Sequence, residues 1–251
     1  MIPKIVHYCW LSDDPIPEEI QKYMMSWKQH LPDYEFKKWD FTIFDKKSSI
    51  WVEQAFDNHK YAFAADYIRL FALYHDGGIY LDTDVEVLKS FNPFLNGREF
   101  ICKENQGDPE VAAFGAEKGC KWIKICLDRY TNRPFIKEDG NFDMIPLPIV
   151  IKNTLNENGY VFKDITTIPI NQDFPDNQIP ILPSEYFSPK SYTTGKIYKT
   201  NKTVSIHHFK GSWLPWYHNF ERKLCSILGL KHKNYIGRII NKFKCFKQVK
   251  K

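Results

Sequence analysis

The stretch at residues 77–87 constrains the possible fold of this chain more than any other. It begins with two glycines, continues with an apolar run at 79–81, and then places Asp82 and Asp84 one residue apart. An apolar run after a glycine turn predicts a short buried strand. Because successive side chains of a strand alternate between its faces, we expect the two carboxylates to point the same way. Such a pair suits Mg²⁺ or Mn²⁺ bound with phosphates, although an exposed acidic turn is the alternative.

A helix is predicted directly before this stretch. Apolar residues recur at helical spacing over positions 61–75, and Gly77 suits the left-handed conformation in which many helices end. Asp66 and Arg69 lie three residues apart on this helix and therefore share a face. By themselves they predict an ordinary surface salt bridge.

The beginning of the chain predicts the fold class. A strand is predicted at 4–10, a helix at 15–30 and a second strand at 34–40. This order is typical of a parallel sheet covered by helices, so we expect an α/β fold with a mostly parallel central sheet. Five prolines between positions 169 and 189 favour a loop that crosses the surface. The other predicted elements are strands at 85–88, 100–102 and 204–209 and helices at 121–130 and 147–158.

Most of the positive charge lies at the end of the chain. Residues 220–251 contain ten Lys or Arg and one acidic residue, whereas the rest of the chain has a small acidic excess. Apolar residues of this segment fall on one helical stripe, which predicts a basic amphipathic helix. We therefore divide the chain into a domain at 1–216 and a basic helical tail at 217–251. The tail either binds an anionic membrane surface or folds back on the domain, and the acidic domain disfavours nucleic acid as a partner.

The sequence also predicts a compartment. No apolar run is long enough to cross a bilayer, and the N-terminus lacks the apolar segment of a secretion signal. The six cysteines are scattered without a Cys-x-x-Cys pair, as is typical of reduced thiols. We expect a cytoplasmic protein, peripheral on the inner face of the cell membrane if the tail binds lipid.

Two other sites that use an Asp-x-Asp pair are disfavoured. In aspartyl-phosphate phosphatases Thr or Val follows at the position that Glu86 occupies here. A calcium-binding EF-hand loop needs glycine at its sixth position, which is Val87 here. A cation that bridges the diphosphate of a nucleotide-sugar is therefore the favoured interpretation.

Five blocks of sequence, in this order, resemble one family of enzymes: 2–10, 39–40, 65–69, 77–84 and 207–213. It is the family of retaining glycosyltransferases with a DXD-containing sugar-binding region. The family includes fungal initiating α-1,6-mannosyltransferases and bacterial capsular-polysaccharide and lipopolysaccharide glycosyltransferases, and it is remotely similar to the glucosyltransferase domains of clostridial toxins. The resemblance implies a glycosyltransferase A-type nucleotide-sugar fold and a metal-dependent hexosyltransferase.

The resemblance also implies a metal site. Asp82 and Asp84 match the metal-binding pair, with Asp84 as a direct ligand and Asp82 on the ribose or the metal. His207 matches a third ligand or a diphosphate contact, and His208 is expected to be structural. The implied cofactor is Mn²⁺ or Mg²⁺.

Further residues match positions that bind the donor. Trp10 matches the neighbourhood of the nucleotide base, and Tyr80 matches an aromatic residue beside the metal, although both are also compatible with core packing. Asp66 and Arg69 match a pair that contacts the sugar hydroxyls and the phosphate side, and with Asp82 and Asp84 they form the implied catalytic set. The implied phosphate contacts are Ser212, Trp213 and Lys210.

The expected reaction moves a hexose, from a UDP-sugar in the favoured interpretation or from GDP-mannose, to a saccharide or lipid-linked saccharide in surface polysaccharide synthesis. No residue stands out as a nucleophile, as expected if the acceptor hydroxyl attacks on the face that the diphosphate leaves. Three acids, Glu110, Asp139 and Asp143, receive no assigned role. The alternatives are a toxin-like enzyme that glycosylates a protein, an aspartyl-phosphate phosphatase and a non-catalytic sugar-binding protein.

Overall fold

The computed structural model describes residues 1–105, 107–166, 168, 174–211, 221 and 224. The predicted tail at 217–251 therefore lies almost entirely outside the described residues. No helix within the described part combines the length and the apolar character that a membrane crossing requires. The strands and α-helices, in chain order, are β1 (Ile5–Cys9), α1 (Glu18–His30), β2 (Glu35–Trp39), α2 (Ile50–Asp57), α3 (Tyr61–Asp76), β3 (Gly78–Leu81), β4 (Val85–Val87), β5 (Glu99–Lys103), β6 (Pro109–Ala116), α4 (Lys121–Asp128), α5 (Leu147–Glu157), β7 (Val161–Asp164), β8 (Gln178–Leu182) and β9 (Ser205–His207).

A seven-stranded sheet in the order β2-β1-β3-β6-β5-β8-β7 organises these elements. β1 runs parallel to β2 and β3, and β8 runs parallel to β5 and β7. Between these two parallel groups, β6 runs antiparallel to both β3 and β5. The prediction of a mostly parallel sheet flanked by helices is confirmed. A separate ribbon pairs β4 with β9 in antiparallel orientation.

Each face of the large sheet packs in its own hydrophobic core. Ile79 and Leu81 of β3 lie in one core with Trp27 of α1, whereas Tyr80 lies in the other core with Ile68 of α3. Burial on both faces explains why β3 is apolar without interruption. The strand thus delivers the residues that follow it to the edge of a rigid sheet.

The glycine turn before β3 is fixed by a buried histidine. His7 Nε2 lies 2.7 Å from the carbonyl oxygen of Gly77, and Trp39 Nε1 donates to His7 Nδ1 at 3.0 Å. The imidazole must therefore be neutral with its proton on Nε2, because Nδ1 accepts the indole N–H. Burial lowers the pKa of His7, which favours this neutral form.

Three strands of the sheet, β6, β7 and β8, were not predicted. β6 contains a proline, a glycine and three alanines and is buried along its whole length, so it lacks the alternating pattern by which strands are recognised. The prediction of a surface loop over 169–189 was wrong at β8, whose residues 179–182 are buried in the sheet. Pro180 lies inside that strand, opposite Lys163. Because proline is usually absent from central strands, its presence argued against a strand here.

Replacement of Gly78 by alanine should destabilise the protein by ~2 kcal/mol or more. The residue has φ +110°, and an added Cβ would lie 2.6 Å from the carbonyl oxygen of Ile5. Urea denaturation followed by circular dichroism measures the loss. Gly97→Ala is the control, because a Cβ there meets no atom closer than 3.4 Å. Equal stability of the two variants would contradict the proposed strain at Gly78.

Candidate functional site

The two aspartates lie in a tight turn that joins β3 to β4. The N–H of Val85 donates to the carbonyl oxygen of Asp82 at 2.9 Å, and the N–H of Asp82 donates to Ala112 of β6 at 2.8 Å. The expectation that strand alternation aligns Asp82 and Asp84 was therefore wrong, because β3 ends at Leu81. The turn itself brings the carboxylates to one place.

The ribbon of β4 and β9 adds a histidine to this turn. Its register pairs Val85 with His207, and the N–H of His208 donates to the carbonyl oxygen of Asp84 at 3.0 Å. One ligand atom from each of Asp82, Asp84 and His207 lies within 4.8 Å of the other two. Ligands on opposite sides of Mg²⁺ lie roughly 4 Å apart, so the three atoms are close to the spacing that a cation requires.

Asp84 and His207 shift the pKa of each other. Burial would raise the pKa of Asp84, but the imidazole of His207 and the N–H of Lys210 outweigh burial and lower the pKa to about 2. Burial would likewise lower the pKa of His207, but Asp84 and Glu110 raise it well above its ordinary value. The carboxylates of Asp84 and Glu110 can therefore keep a proton on the imidazole of His207. A divalent cation bound there would displace this proton. Two carboxylates and an imidazole form a donor set that fits Mn²⁺ or Mg²⁺.

Arg69 connects the acidic turn to helix α3. Its Nη2 lies 3.1 Å from Asp66 Oδ1 and 3.3 Å from Asp82 Oδ1, while its Nη1 donates to the carbonyl oxygen of Val111 at 2.8 Å. The guanidinium also lies over the ring of Tyr80, with 4.6 Å between Cζ and the ring centroid. The helix–turn unit predicted from the sequence is thus one charge network on the floor of the site.

Burial sets the charge balance of this network. It raises the pKa of Asp66 to about 7 against the opposing effect of Arg69, and it also raises the pKa of Asp82. Arg69 Nε is buried without a hydrogen-bond partner among the described residues. Asp84 is therefore the more readily ionised aspartate of the turn, which agrees with its implied role as direct ligand.

Glu110, to which the sequence assigned no role, lies in the site. Because β6 runs antiparallel to β3, with Ala113 opposite Leu81, the start of β6 extends past the end of β3. Glu110 Oε2 there lies 3.3 Å from Nδ1 of His207, and Glu110 is only 4% exposed. Glu110 could have been recognised as an acidic residue near the start of a buried strand, but β6 itself was not predicted.

The implied nucleotide contacts are only partly described. Trp10 follows β1 at the same edge of the sheet, and its indole N–H donates to the carbonyl oxygen of Asp14 at 2.8 Å. Its backbone N–H donates to Trp39 at 3.3 Å. Within the described part, no hydrogen bond or ring contact joins Trp10 to the acidic turn. Ser212 and Trp213 lie outside the described residues.

The segment after β9 is fixed against helix α1. His208 Nε2 lies 2.9 Å from Glu86 Oε2, and its ring stacks on Tyr23 at 4.2 Å between centroids. The ammonium of Lys210 pairs with Glu19 of the same helix. These contacts hold the backbone N–H of Lys210 in place, where it donates to Asp84 Oδ2 at 2.8 Å.

Comparison with known proteins identifies the region that contains this site. Residues 17–101 match the family described as a glycosyltransferase sugar-binding region containing a DXD motif. The resemblance predicted from the sequence is confirmed. The matched segment includes Asp66, Arg69 and both aspartates of the turn, whereas His207 and Glu110 lie beyond it.

The fungal relatives of this region are longer proteins. A mannosyl phosphorylinositol ceramide synthase of Saccharomyces cerevisiae is 34% identical over 107 residues, which is 41% of this chain and 28% of the yeast protein. A glycosyltransferase of Acanthamoeba polyphaga mimivirus is 25% identical over 90% of this chain and 88% of its own length. The chain spans about a third or less of the first fungal relatives that it matches.

A solved structure supports the fold. The PaToxG glycosyltransferase is 21% identical, has a TM-score of 0.50, and covers 62% of this chain and 69% of its own. At this identity the likeness concerns the fold alone. The expectation of a glycosyltransferase A-type fold is thereby confirmed.

Replacement of Arg69 by methionine should lower the free energy of unfolding by about 3–5 kcal/mol, because it leaves the buried carboxylate of Asp66 and the partly buried carboxylate of Asp82 without their cation. The control is Arg129→Met, which breaks an exposed pair with Glu157 and should cost less than about 1 kcal/mol. Urea denaturation of both variants measures the difference. Similar losses at the two positions would contradict the central position of Arg69.

A second prediction concerns pH. Burial, with Glu110 and Asp108 as acidic neighbours, raises the pKa of Glu104 from 4.5 to about 7. Between these values the native state keeps a proton that the unfolded chain has lost, so the carboxyl makes the native state less stable as pH rises from about 4.5 to about 7. Glu104→Gln removes this loss and should therefore stabilise the protein more at pH 8 than at pH 4.5. Thermal unfolding at both values tests this, with the exposed Glu138→Gln as the matched control; an equal effect of Glu104→Gln at the two values would contradict it.

Proposed function

We propose that this chain is a retaining glycosyltransferase that moves a sugar from a nucleotide-sugar to an acceptor hydroxyl with the help of Mn²⁺ or Mg²⁺. One observation carries the proposal: the turn in the DXD region, the Arg69 network and His207 meet at a single edge of the sheet. The match to the sugar-binding region supports the same reaction class. Because the chain spans about a third or less of its fungal relatives, the activity of the whole protein is proposed and does not follow from the match alone.

The metal is assigned to Asp82, Asp84 and His207. A divalent cation bound there supplies positive charge that neutralises the departing nucleoside diphosphate. Asp84 is suited to direct ligation because its pKa lies at about 2, so it stays ionised throughout the physiological range. The N–H of Lys210 helps to keep that carboxylate in its orientation.

Arg69 and Asp66 are assigned to the donor sugar. Asp66 accepts hydrogen bonds from hydroxyl groups when it is ionised, and Arg69 supplies a fixed positive charge on the side where the phosphate leaves. Both are held by buried contacts, so they need little reorganisation during the reaction. Trp10 is assigned to the base, and Ser212, Trp213 and Lys210 are assigned to the phosphates.

Retention follows if the acceptor hydroxyl attacks the face from which the diphosphate leaves. In that geometry an oxygen of the leaving phosphate takes the acceptor proton, and the protein contributes by positioning and electrostatics. The carboxylates and the imidazole described here are all engaged with one another or with Arg69. This arrangement favours electrostatic stabilisation over covalent catalysis.

Mannose is the sugar that the relatives favour. The sequence favoured a UDP-hexose with GDP-mannose as the alternative. Four relatives, however, are named as mannosyltransferases, three of them for inositol phosphoceramide, and two more are named as mannosyl phosphorylinositol ceramide synthases. We therefore propose GDP-mannose as the first donor to test and a lipid-borne or saccharide hydroxyl as the acceptor. Surface polysaccharide synthesis, a cytoplasmic location and contact of residues 220–251 with the inner face of the membrane belong to the same proposal.

The proposal predicts metal-dependent release of nucleoside diphosphate. In the presence of Mn²⁺, the purified protein should hydrolyse one of GDP-mannose, UDP-glucose or UDP-galactose, and Asp84→Asn should reduce the rate about 100-fold or more. Asp176→Asn is the control, because Asp176 pairs with Arg98 and Lys121 and not with the acidic turn. Undiminished release by Asp84→Asn or in the presence of a chelator would refute the metal role. Release of phosphate from simple esters instead would favour the phosphatase alternative.

A further inference from the structure

Glu110 contacts the one side of His207 that does not face the acidic turn. The imidazole lies between two carboxylates, with Nε2 at 3.5 Å from Asp84 Oδ1 and Nδ1 at 3.3 Å from Glu110 Oε2. These two contacts use both nitrogens of the ring. The hydrogen-bond partner of Nδ1 therefore decides whether Nε2 carries the proton or a free lone pair.

Glu110 is itself held in one orientation. Its Oε1 accepts the N–H of Ala112 at 2.9 Å, and its Oε2 accepts the hydroxyl of Ser188 at 2.7 Å. Glu110 is 4% exposed and Ser188 is fully buried. Both oxygens of Glu110 already accept a hydrogen bond from a protein donor, as the oxygens of a carboxylate do. A fixed backbone donor and a buried hydroxyl thus aim one oxygen at the imidazole.

An ionised carboxylate can only accept hydrogen bonds. The neutral imidazole must then carry its proton on Nδ1, which leaves the lone pair of Nε2 on the side of Asp84. The other side of the ring packs on Phe209, with 4.0 Å between centroids. Phe209 adopts φ +52°, a conformation that non-glycine residues rarely take and that needs surrounding contacts to hold it.

We propose that Glu110 is the positioning residue of this site: it fixes the tautomer and orientation of His207 so that Nε2 is available to a divalent cation. Carboxylates that accept a hydrogen bond from a metal-binding histidine commonly have this effect. The inference rests on the proposed metal role of Asp82, Asp84 and His207. It adds a residue that lies outside the matched sugar-binding region and that acts through His207.

The geometry predicts what the isosteric variant Glu110→Gln does. The N–H of Ala112 is a fixed donor, so the amide oxygen of the glutamine must face it. The amide NH₂ then takes the position of Oε2 and donates to Nδ1 of His207. This forces the imidazole proton onto Nε2 and blocks that nitrogen as a ligand.

Mn²⁺ binding to the full chain tests this without any sugar substrate. The free ion is quantified by electron paramagnetic resonance, and coupling of the bound ion to ¹⁴N reports ligation by histidine. We expect the ¹⁴N coupling in the natural protein and its loss in both His207→Ala and Glu110→Gln. Each variant should weaken Mn²⁺ binding by about 10- to 100-fold, and the double variant should bind no more weakly than His207→Ala.

Two controls separate positioning from charge. At pH 8, above the pKa of about 7 of Glu104, Glu104→Gln removes a carboxylate charge from the adjoining loop and should change the affinity less than about threefold while the ¹⁴N coupling remains. Glu110→Asp keeps the charge but shortens the side chain, so it should weaken binding if position matters and restore it if only charge matters. Thermal unfolding of each variant shows that it is folded.

Three results would each overturn the role of Glu110 and leave the proposed glycosyl transfer intact. The first is that Glu110→Gln lowers the Mn²⁺ affinity equally with and without His207. The others are full Mn²⁺ affinity in Glu110→Asp and a retained ¹⁴N coupling in Glu110→Gln. The role of Glu110 would also be overturned if the natural protein bound Mn²⁺ without ¹⁴N coupling. Failure of the natural protein to bind Mn²⁺ would instead refute the metal role, and this inference with it.

Discussion

The compensation of buried charge at one edge of the sheet is the constraint on which the rest of this site depends. Asp66, Arg69 and Glu110 are each less than 10% exposed, and ionised groups can be kept at such positions only with close partners. Arg69 neutralises the side that carries Asp66 and Asp82, and the imidazole of His207 neutralises the side that carries Asp84 and Glu110. Replacing either cation by a neutral side chain would leave carboxylates whose desolvation nothing offsets.

The two halves of this network differ in how rigid their cations are. A guanidinium stays charged at any physiological pH, whereas an imidazole can give up its proton. Exchange of charge can therefore occur on the side of His207, where a divalent ion would replace a proton, while the side of Arg69 stays constant. This division agrees with the proposal that Glu110 orients His207, the neutral ligand of the site.

The sequence predicted those parts of the site that are close together along the chain. Helix α3, the glycine turn and the two aspartates form a continuous segment, so helical periodicity and turn chemistry placed Asp66, Arg69, Asp82 and Asp84 in one local unit. Their roles in a site came from the resemblance to a family. His207 was reached only through the resemblance to a family. Glu110 could not be found in this way because β6, buried on both faces and rich in alanine, has no strand pattern, and because its partner lies 97 residues away. The same lack of pattern, together with Pro180, concealed β8.

The reversed direction of β6 has a consequence for folding. This strand forms a local hairpin with β5, and its pairing with β3 joins the two parallel groups. The hydrogen bond of Arg69 to Val111 and the contact of His207 with Glu110 both end on this strand, so the site is complete only when β6 is in place. A chain that has assembled only α3, β1, β2 and β3 would have the pairs of Arg69 with Asp66 and Asp82 but would lack Glu110 at its open edge. The contacts of the site therefore stabilise the completed sheet. They make β6 part of the cooperative folding of the domain.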